Sequence, residues 1–221
     1  MTLVEAAVET LDSALAADRA GADRIELCDN LSVGGTTPGS ELIATVAERM
    51  RLPVFVLIRP RAGDFVYSDD EFEQMIRDIE LSRRMGISGI VTGALTSDGR
   101  VDIGHTRTLV KAAVGLPVTF HRAIDSAIDL PAALEEVIEA GASRVLTSGG
   151  TATAAEGVDL IAALVGQARE RITVIAGGGI REHNVRDVIA RTRVREVHAR
   201  LVDERQMRGL VDVVREKKAS R

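Results

Sequence analysis

The sequence has few aromatic side chains and no excess of positive charge. Its 221 residues include no tryptophan, one tyrosine and four phenylalanines, and 33 Asp and Glu residues outnumber 28 Lys and Arg residues. Proteins that bind single-stranded nucleic acid stack bases on aromatic rings, and nucleic-acid binding in general needs clustered positive charge. The composition therefore predicts a protein that does not bind nucleic acid.

Cysteine and long apolar runs are also scarce. Cys28 is the one cysteine, which excludes a disulfide within the chain and a zinc site made of several thiolates from one chain. The first residues lack the basic segment and long apolar stretch of a signal peptide. Apolar runs such as residues 54–58 and 160–165 are far shorter than the roughly 20 residues of a membrane span. These features predict a cytoplasmic protein without a membrane segment.

Short β-rich runs alternate along the chain with longer runs of helical spacing. Several of the short runs are continuously apolar, which is typical of parallel strands buried on both faces. The eight strand candidates are Leu3–Val8, Arg24–Cys28, Val54–Arg59, Gly89–Gly93, Val118–His121, Arg144–Thr147, Thr173–Ala176 and Glu196–Ala199. Eight βα units predict a closed (β/α)₈ TIM barrel that forms a single domain over residues 1–221. A doubly wound open sheet is the alternative, and residues 215–221 are expected to be a frayed, charged tail.

Helix starts and ends have local signals. Thr10 is a candidate N-cap of the first helix, and Gly21 is a candidate for its end. Ser68 to Glu71 has the pattern of a capping box. Further helices are predicted at roughly 104–114, 130–140, 154–169, 182–191 and 204–217.

Polar residues or glycines occur in or directly after every predicted strand. The carboxyl ends of barrel strands form the rim that carries active sites, and buried polar groups cost energy unless they are paired. The catalytic candidates are Glu26, Arg59, His121, Arg122 and Asp125. The ligand-binding candidates are Glu5, Arg61, Asp64, Thr92, Ser148, Gly149, Gly177, Gly178, Gly179 and His198. The alternative is a structural ion-pair network that closes the top of the barrel. For the whole cluster, the pattern favours a functional site.

Arg59 and His121 are the most informative of these candidates. The forked guanidinium of Arg59 suits a carboxylate or phosphate, although it could instead pair with Glu26 or Glu5. His121 titrates near neutrality and could transfer protons together with Glu26; the alternative is a hydrogen-bonded core histidine. Arg122 follows His121 directly, so in an extended chain at most one of the two points into the barrel mouth.

Three loops contain the small residues that allow close approach of a ligand to the backbone. Residues 177–179 and 148–150 could donate backbone N–H groups to a phosphate, as barrel loops often do. Each could equally be a tight turn. Residues 31–40 form a third such loop, which could be a mobile lid or a simple connector.

Several strings of the sequence resemble the CutC family of copper homeostasis proteins. The longest are AGADRIELC at 20–28, VFVLIRPRAGDF at 54–65 and PVTFHRA at 117–123, and the similarity is collinear from about residue 4 to residue 198. The resemblance implies a TIM barrel, a cytoplasmic role in copper homeostasis with bound copper, and a homodimer or higher homo-oligomer.

The resemblance also implies a copper ligand. The family's copper proposal depends on two cysteines, of which Cys28 matches the second, while Ala7 occupies the position of the first. Cu(I) prefers soft thiolate and thioether ligands, so a two-coordinate site here needs an imidazole or a second chain. Two hypotheses follow. The first is copper homeostasis with Cys28 as the metal ligand, and the alternative is a TIM-barrel enzyme that acts on a small phosphorylated or carboxylated metabolite.

Overall fold

The protein is a (β/α)₈ barrel, described here from a computed structural model that covers residues 2–216. Its eight strands are parallel and pair in sequence order, and β8 closes the barrel on β1. The strands are β1 Leu3–Val8, β2 Arg24–Leu27, β3 Val54–Leu57, β4 Gly89–Thr92, β5 Val118–Phe120, β6 Arg144–Thr147, β7 Thr173–Gly177 and β8 Glu196–Arg200. The closed barrel confirms the predicted fold class and excludes the open sheet.

Helices follow each strand. They are α1 Leu11–Ala20, α2 Ser40–Arg49, α3 Asp69–Arg84, α4 Ile103–Ala112, α5 Leu130–Ala140, α6 Val158–Ala168, α7 Glu182–Thr192 and α8 Glu204–Arg215. Two short 3₁₀-helices, Leu31–Val33 and Arg122–Ser126, lie in the loops after β2 and β5. Within residues 2–216, no helix is long and apolar enough to cross a membrane.

The predicted helix ends at Thr10, Gly21 and Ser68 are present. The Thr10 side chain accepts a hydrogen bond from the Ser13 backbone, and Gly21 ends α1 in the left-handed conformation with φ of 87°. Ser68 and Glu71 form the expected capping box. These caps occupy backbone donors that a helix end would otherwise leave without partners.

The helix α2 was not predicted, and several elements differ from the sequence-based expectations by one or two residues, as where β3 ends at Leu57 and not at Arg59. The start of α6 differs by more. The helix predicted from residue 154 starts at Val158, because the backbone N–H of Ala154 donates to Gly178 in the next loop and residues 151–157 form turns. The expected tail at 215–221 falls mainly outside the described residues; α8 ends at Arg215, within the predicted range.

Successive strand residues alternate between two apolar environments. Outward-facing residues such as Val56 and Ile90 pack in the layer between the strands and the helices. A second, smaller cluster lies inside the barrel and contains Cys28, Phe55, Leu57 and Val91. Burial on both faces explains why the strands are continuous hydrophobic runs.

Charged residues fill the barrel interior at the amino-terminal ends of the strands. Arg24 lies 2.5 Å from a Glu5 carboxylate oxygen and 2.6 Å from one of Glu196, and Arg144 lies 3.4 Å from Glu196. The Phe55 ring packs against both guanidinium groups, at 4.7 Å from Arg24 and 5.4 Å from Arg144. We call Glu5, Arg24, Arg144 and Glu196 the floor cluster.

Candidate functional site

A cavity of about 400 Å³ opens at the carboxyl ends of the strands, above the floor cluster. Its wall combines apolar side chains of β3 and β6 with charged and polar residues in or after four strands, β2, β3, β5 and β8. Those polar residues are Glu26, Cys28, Arg59, His121, Arg122, Asp125 and His198. All five catalytic candidates therefore line one cavity, together with the metal candidate Cys28 and the ligand-binding candidate His198.

Arg59 is buried in this wall, with 4% of the residue exposed. Its Nη1 donates to the carbonyl oxygens of Val33 at 3.2 Å and Gly35 at 2.9 Å, and its Nη2 donates to that of Gly63 at 2.8 Å. The guanidinium stacks on the Phe65 ring at 4.8 Å. These contacts hold the loops after β2 and β3 against the rim.

The charge of Arg59 is not neutralised by the protein. Among residues 2–216, its guanidinium forms no ion pair with a carboxylate, and its buried Nε has no hydrogen-bond partner. The proposed alternative of pairing with Glu5 or Glu26 is therefore wrong, because Glu5 is bonded to Arg24 below and Arg59 is turned toward the loops. A buried cation without an acidic partner is costly in isolation and favours an anionic ligand.

His121 is buried in the same wall and is neutral. Its Nδ1 accepts a hydrogen bond from the backbone N–H of Ala123 at 3.2 Å. Burial, together with the nearby charge of Arg59, lowers the pKa of His121 to about 3. The ring proton then belongs to Nε2, which is buried and has no partner within residues 2–216. Phe65, which stacks on Arg59, also contacts the imidazole, with ring centroids 5.0 Å apart.

Arg122 lines the cavity as well, because β5 ends at Phe120 and the chain turns into a 3₁₀-helix at Arg122. The expected opposition of His121 and Arg122 applies to an extended strand and does not hold here. The Arg122 Nε donates to Asp125 at 2.8 Å, and its Nη2 donates to the Ser148 hydroxyl at 2.7 Å. Arg122 is thus a paired cation at the cavity rim.

Asp125 organises the loop after β6. Its carboxylate accepts hydrogen bonds from the Thr147 hydroxyl at 2.5 Å, from the Ser148 backbone at 3.0 Å and from the Gly150 backbone at 3.1 Å. Together with the contact to Arg122, these bonds occupy its acceptor positions. Asp125 therefore has the contacts of a positioning group.

Glu26 and His198 approach each other at the bottom of the cavity. The Nδ1 of His198 lies 2.8 Å from Glu5 Oε1 and 3.4 Å from Glu26 Oε2. Burial raises the pKa of Glu26 far above its usual range, and the charge of Glu5 adds to this effect. Burial opposes ionisation of Glu5 also, but the hydrogen bond to His198 and the charge of Arg24 hold its pKa well below the usual range. The pKa of His198 is raised despite its burial, by the bond to Glu5 and the charge of Glu26.

Several ligand-binding candidates lie away from the cavity. Arg61 pairs with Asp64 at 2.9 Å and with Glu71 at 2.6 Å on the partly exposed outer side of the loop after β3. Thr92 is buried and donates to the carbonyl of Ile58 at 3.1 Å. The structure gives these three candidates local structural contacts and does not bring them to the cavity wall.

The glycine candidates form tight packing between the loops after β6 and β7. The carbonyl oxygen of Gly178 accepts from Ala154, and that of Gly179 accepts from Asn184. Gly177 is in β7 beside His198, and Gly149 donates to the Thr147 hydroxyl. None of these four glycines lines the cavity, whereas Gly150 does.

Two features of the site were missed by the sequence analysis. Phe65 forms the part of the wall that contacts both Arg59 and His121. Arg24 and Glu196 complete the floor cluster below Glu26. Arg24 and Glu26 are two residues apart on one strand and therefore face the same side, which is the signal that could have indicated a charged interior.

The ligand atoms of Glu5, Glu26 and His198 all lie within 4.8 Å of one another, the one such group among the described residues. However, Arg24 already neutralises Glu5 at 2.5 Å, so an added cation would have to compete with a buried guanidinium.

Cys28 is not part of this group. Burial, together with the neighbouring charge of Glu26, raises the pKa of its thiol well above the usual range. Since Cu(I) prefers thiolates and thioethers, the cavity wall of one chain supplies a single sulfur ligand, Cys28, held as the thiol, and does not fit a closed Cu(I) site.

The fold and the site define a (β/α)₈ protein with a cavity at the carboxyl ends of its strands that is lined by a buried arginine, a histidine and carboxylates. The sequence profile of the CutC family matches residues 2–202, and the chain belongs to this family. It is 50% identical over 196 residues to a family protein CutC of Xanthomonas axonopodis pv. citri (strain 306), covering 89% of this chain and 82% of that one. It is 47% identical to a human protein named copper homeostasis protein cutC homolog, covering 89% and 72%. The crystal structure of CutC from Streptococcus agalactiae superimposes with a TM-score of 0.84 at 35% identity, covering 90% and 98%.

Proposed function

We propose that the protein is an enzyme that binds a small phosphorylated or carboxylated metabolite in the cavity. The observation that carries the proposal is the buried guanidinium of Arg59, which lines the cavity and has no carboxylate partner among residues 2–216. An anionic group of the ligand would supply the missing charge and a partner for Nε. Charge-assisted bonds of this kind are about twice as strong as neutral ones.

The remaining groups of the wall support chemistry as well as binding. Arg122 provides a second cation at the rim, held by Asp125. Glu26 has a raised pKa and His121 is neutral, so two groups of different proton-transfer character face the same space. Shifted pKa values of residues that line a cavity are typical of active sites.

The test is retention of small molecules from a metabolite extract, followed by mass spectrometry, with the wild-type protein and Arg59→Met. Arg61→Met is the matched control, because it removes an arginine two residues away that pairs outside the cavity. We expect wild type and Arg61→Met to retain the same anionic compound. Arg59→Met is expected to bind it at least about 10-fold more weakly, as loss of a charged hydrogen bond predicts. Equal retention by all three proteins would refute the proposal.

We propose copper handling as the second candidate, supported by the name of the human relative and by the Cys28 thiol in the cavity wall. Because the cavity wall of one chain offers a single sulfur ligand, this candidate needs a second donor, from an imidazole or from another copy of the chain. An anaerobic Cu(I) competition titration of wild type and Cys28→Ala tests it. Stoichiometric binding that is lost in the variant supports copper handling, and binding unchanged by the substitution counts against it.

We also propose a cytoplasmic location and a homodimer or higher homo-oligomer. The buried, reduced thiol of Cys28 supports a reducing compartment, and membership in the CutC family supports self-association. Light scattering coupled to size-exclusion chromatography tests the second part, with a mass near the monomer's 23.6 kDa as the contradicting result.

A further inference from the structure

Three groups of different chemistry face the cavity from three strand ends: a carboxylate, a guanidinium and a neutral imidazole. Glu26 is on β2, Arg59 follows β3 and His121 follows β5. In the closed barrel, β2 and β5 are separated by β3 and β4, so the carboxylate and the imidazole approach a ligand from different sides. Arg59 enters from a strand end between them.

The imidazole of His121 is arranged to donate a hydrogen bond and not to carry a charge. Its Nδ1 is occupied by the backbone N–H of Ala123, which leaves the proton on Nε2. That N–H is buried and has no acceptor within residues 2–216. A buried donor without an acceptor costs free energy, and a carbonyl oxygen of a ligand would supply the acceptor.

Glu26 is arranged to exchange a proton. The Nδ1 of His198 lies 3.4 Å from its Oε2, and the Cys28 thiol also lies beside its carboxylate. His198 is itself held by Glu5, which is bonded to Arg24 in the floor cluster. Glu5 and His198 are thus positioning residues for Glu26, whose side chain lines the cavity. A carboxylate held in this way beside a bound ligand can act as a general base.

Nucleophilic catalysis has less support in this wall. The Cys28 thiol is held protonated by burial beside Glu26. The Ser148 hydroxyl contacts Asp125 at 2.9 Å and donates to the Thr151 carbonyl, so it lacks the histidine base that activates a serine.

We propose that the cavity enolises a small carbonyl compound that carries a phosphate or carboxylate group. Arg59 holds the anionic group. A Glu26 oxygen takes the proton from the carbon next to the carbonyl, the electrons of that C–H bond form a C=C bond, and the C=O π electrons move to oxygen. The enolate oxygen accepts the hydrogen bond from His121 Nε2. The proton on the Glu26 carboxyl group exchanges with solvent, and transfer of the solvent-derived proton to the same carbon completes exchange. Transfer to the former carbonyl carbon instead, with proton movement from the oxygen of a neighbouring hydroxyl to the enolate oxygen, completes isomerisation.

This inference rests on the proposed binding of an anionic metabolite, and its test separates the two. The wild-type protein is incubated in D₂O with dihydroxyacetone phosphate, glyceraldehyde 3-phosphate, 2-oxobutyrate or 2-oxoglutarate, and proton NMR follows the loss of the C–H signal next to the carbonyl. Binding of the same four compounds is measured separately by calorimetry with wild type and Arg59→Met.

We expect exchange of at least one compound above the protein-free rate. Glu26→Gln should slow it by about 100-fold or more, the usual contribution of a general base. His121→Gln should slow it by about 10-fold or more, as loss of an oxyanion donor predicts. Glu80→Gln, which changes an exposed glutamate on α3, should leave the rate unchanged. Because both cavity variants are close to isosteric, circular dichroism is used to show that they fold.

Two results overturn the inference. One is no exchange with any of the four compounds; the other is exchange that both Glu26→Gln and His121→Gln leave unchanged. If binding still depends on Arg59, the enolisation proposal fails and the proposed anion binding stands. If binding is absent or independent of Arg59, the proposed function itself fails. Should one cavity variant not fold, the other still decides the outcome.

Discussion

The floor cluster and the cavity above it both bury charged residues, but they satisfy them differently. Arg24 in the floor contacts two carboxylates, at 2.5 Å and 2.6 Å. Arg59 in the cavity wall is equally buried and, within residues 2–216, is bonded to backbone carbonyls alone. The floor therefore neutralises itself, whereas the cavity lacks a negative charge at Arg59. The difference separates a structural ion cluster from the cavity that we propose binds an anion.

This distinction answers the question that the sequence raised, whether the ring of charges is a network or a site. The ion-pair network is present in the floor cluster, and the proposed site is the cavity above it. Buried ion pairs contribute little net stability but are costly to break, because each partner depends on the other for its solvation. A buried charge without a partner has no such compensation until a ligand binds.

The largest effect on stability is expected for Arg24→Met. It leaves the carboxylates of Glu5 and Glu196 buried without their main partner, and breaking a buried pair costs about 3–5 kcal/mol. Urea denaturation monitored by circular dichroism measures the change in the free energy of unfolding.

Arg59→Met is the matched substitution in the cavity wall. It removes bonds to backbone carbonyls at the rim, where water can replace it, and also removes an uncompensated charge. We expect it to cost about 1 kcal/mol. If Arg59→Met destabilised the protein as much as Arg24→Met, the proposed functional distinction between the cavity wall and the floor cluster would be lost.

The second prediction concerns acid. The unfolded chain protonates His121 below about pH 6.5, whereas the folded protein resists protonation until its pKa of about 3. The unfolded state then binds more protons, so this residue makes the free energy of unfolding fall as the pH is lowered from about 6.5 to about 3. The slope of that contribution reaches about 1.4 kcal/mol per pH unit.

His121→Gln isolates this contribution, because glutamine does not titrate. The difference between wild type and variant should change with pH below about 6.5 and be constant above it. Glu26 contributes with the opposite sign: its raised pKa makes the folded state hold a proton that the unfolded state releases, and stability from it is lost as the pH rises. A pH-independent difference between the two proteins would show that His121 is not buried in its neutral form.

Local sequence was sufficient to predict most of the barrel. Caps such as Thr10 and Ser68 act on neighbouring residues, and the apolar runs of the strands reflect burial on both faces. The start of α6 was predicted too early, because residues 151–157 are held by a bond from Ala154 to the next loop, which no local pattern indicates.

The residues of the site were easier to find than their partners. All five catalytic candidates line the cavity, because strand ends converge in a barrel. The sequence grouped Glu26 with His121 for proton transfer and gave no sign of its contact with His198. Barrel closure brings His198 beside β1 through the pairing of Glu5 with His198. Contacts between residues almost 200 positions apart depend on the register in which β8 pairs with β1. That register cannot be read from the sequence.

A third, smaller effect is expected at the loop that covers Arg59. Gly35 has φ of 88°, and a Cβ added there would lie 2.6 Å from Leu57 Cδ2. Gly86 has a similar φ of 82° with open space around it, so Gly86→Ala measures backbone strain alone, about 1–2 kcal/mol. Gly35→Ala should cost more than Gly86→Ala in urea denaturation and should also weaken anion binding. Equal costs would mean that the loop is not packed against the rim.

The smallest effect on the free energy of unfolding is expected for Ser68→Ala. This residue lies outside both the floor cluster and the cavity wall. The Ser68 hydroxyl accepts from the Glu71 backbone at the start of α3, and loss of such a cap costs about 1 kcal/mol. This is close to the cost expected for Arg59→Met, so the two variants can be compared at matched stability in the metabolite-retention assay. Retention should fall with Arg59→Met and persist with Ser68→Ala. If both variants lost the ligand equally, general destabilisation would account for the loss, and the assignment of Arg59 as the anion-binding residue would be wrong.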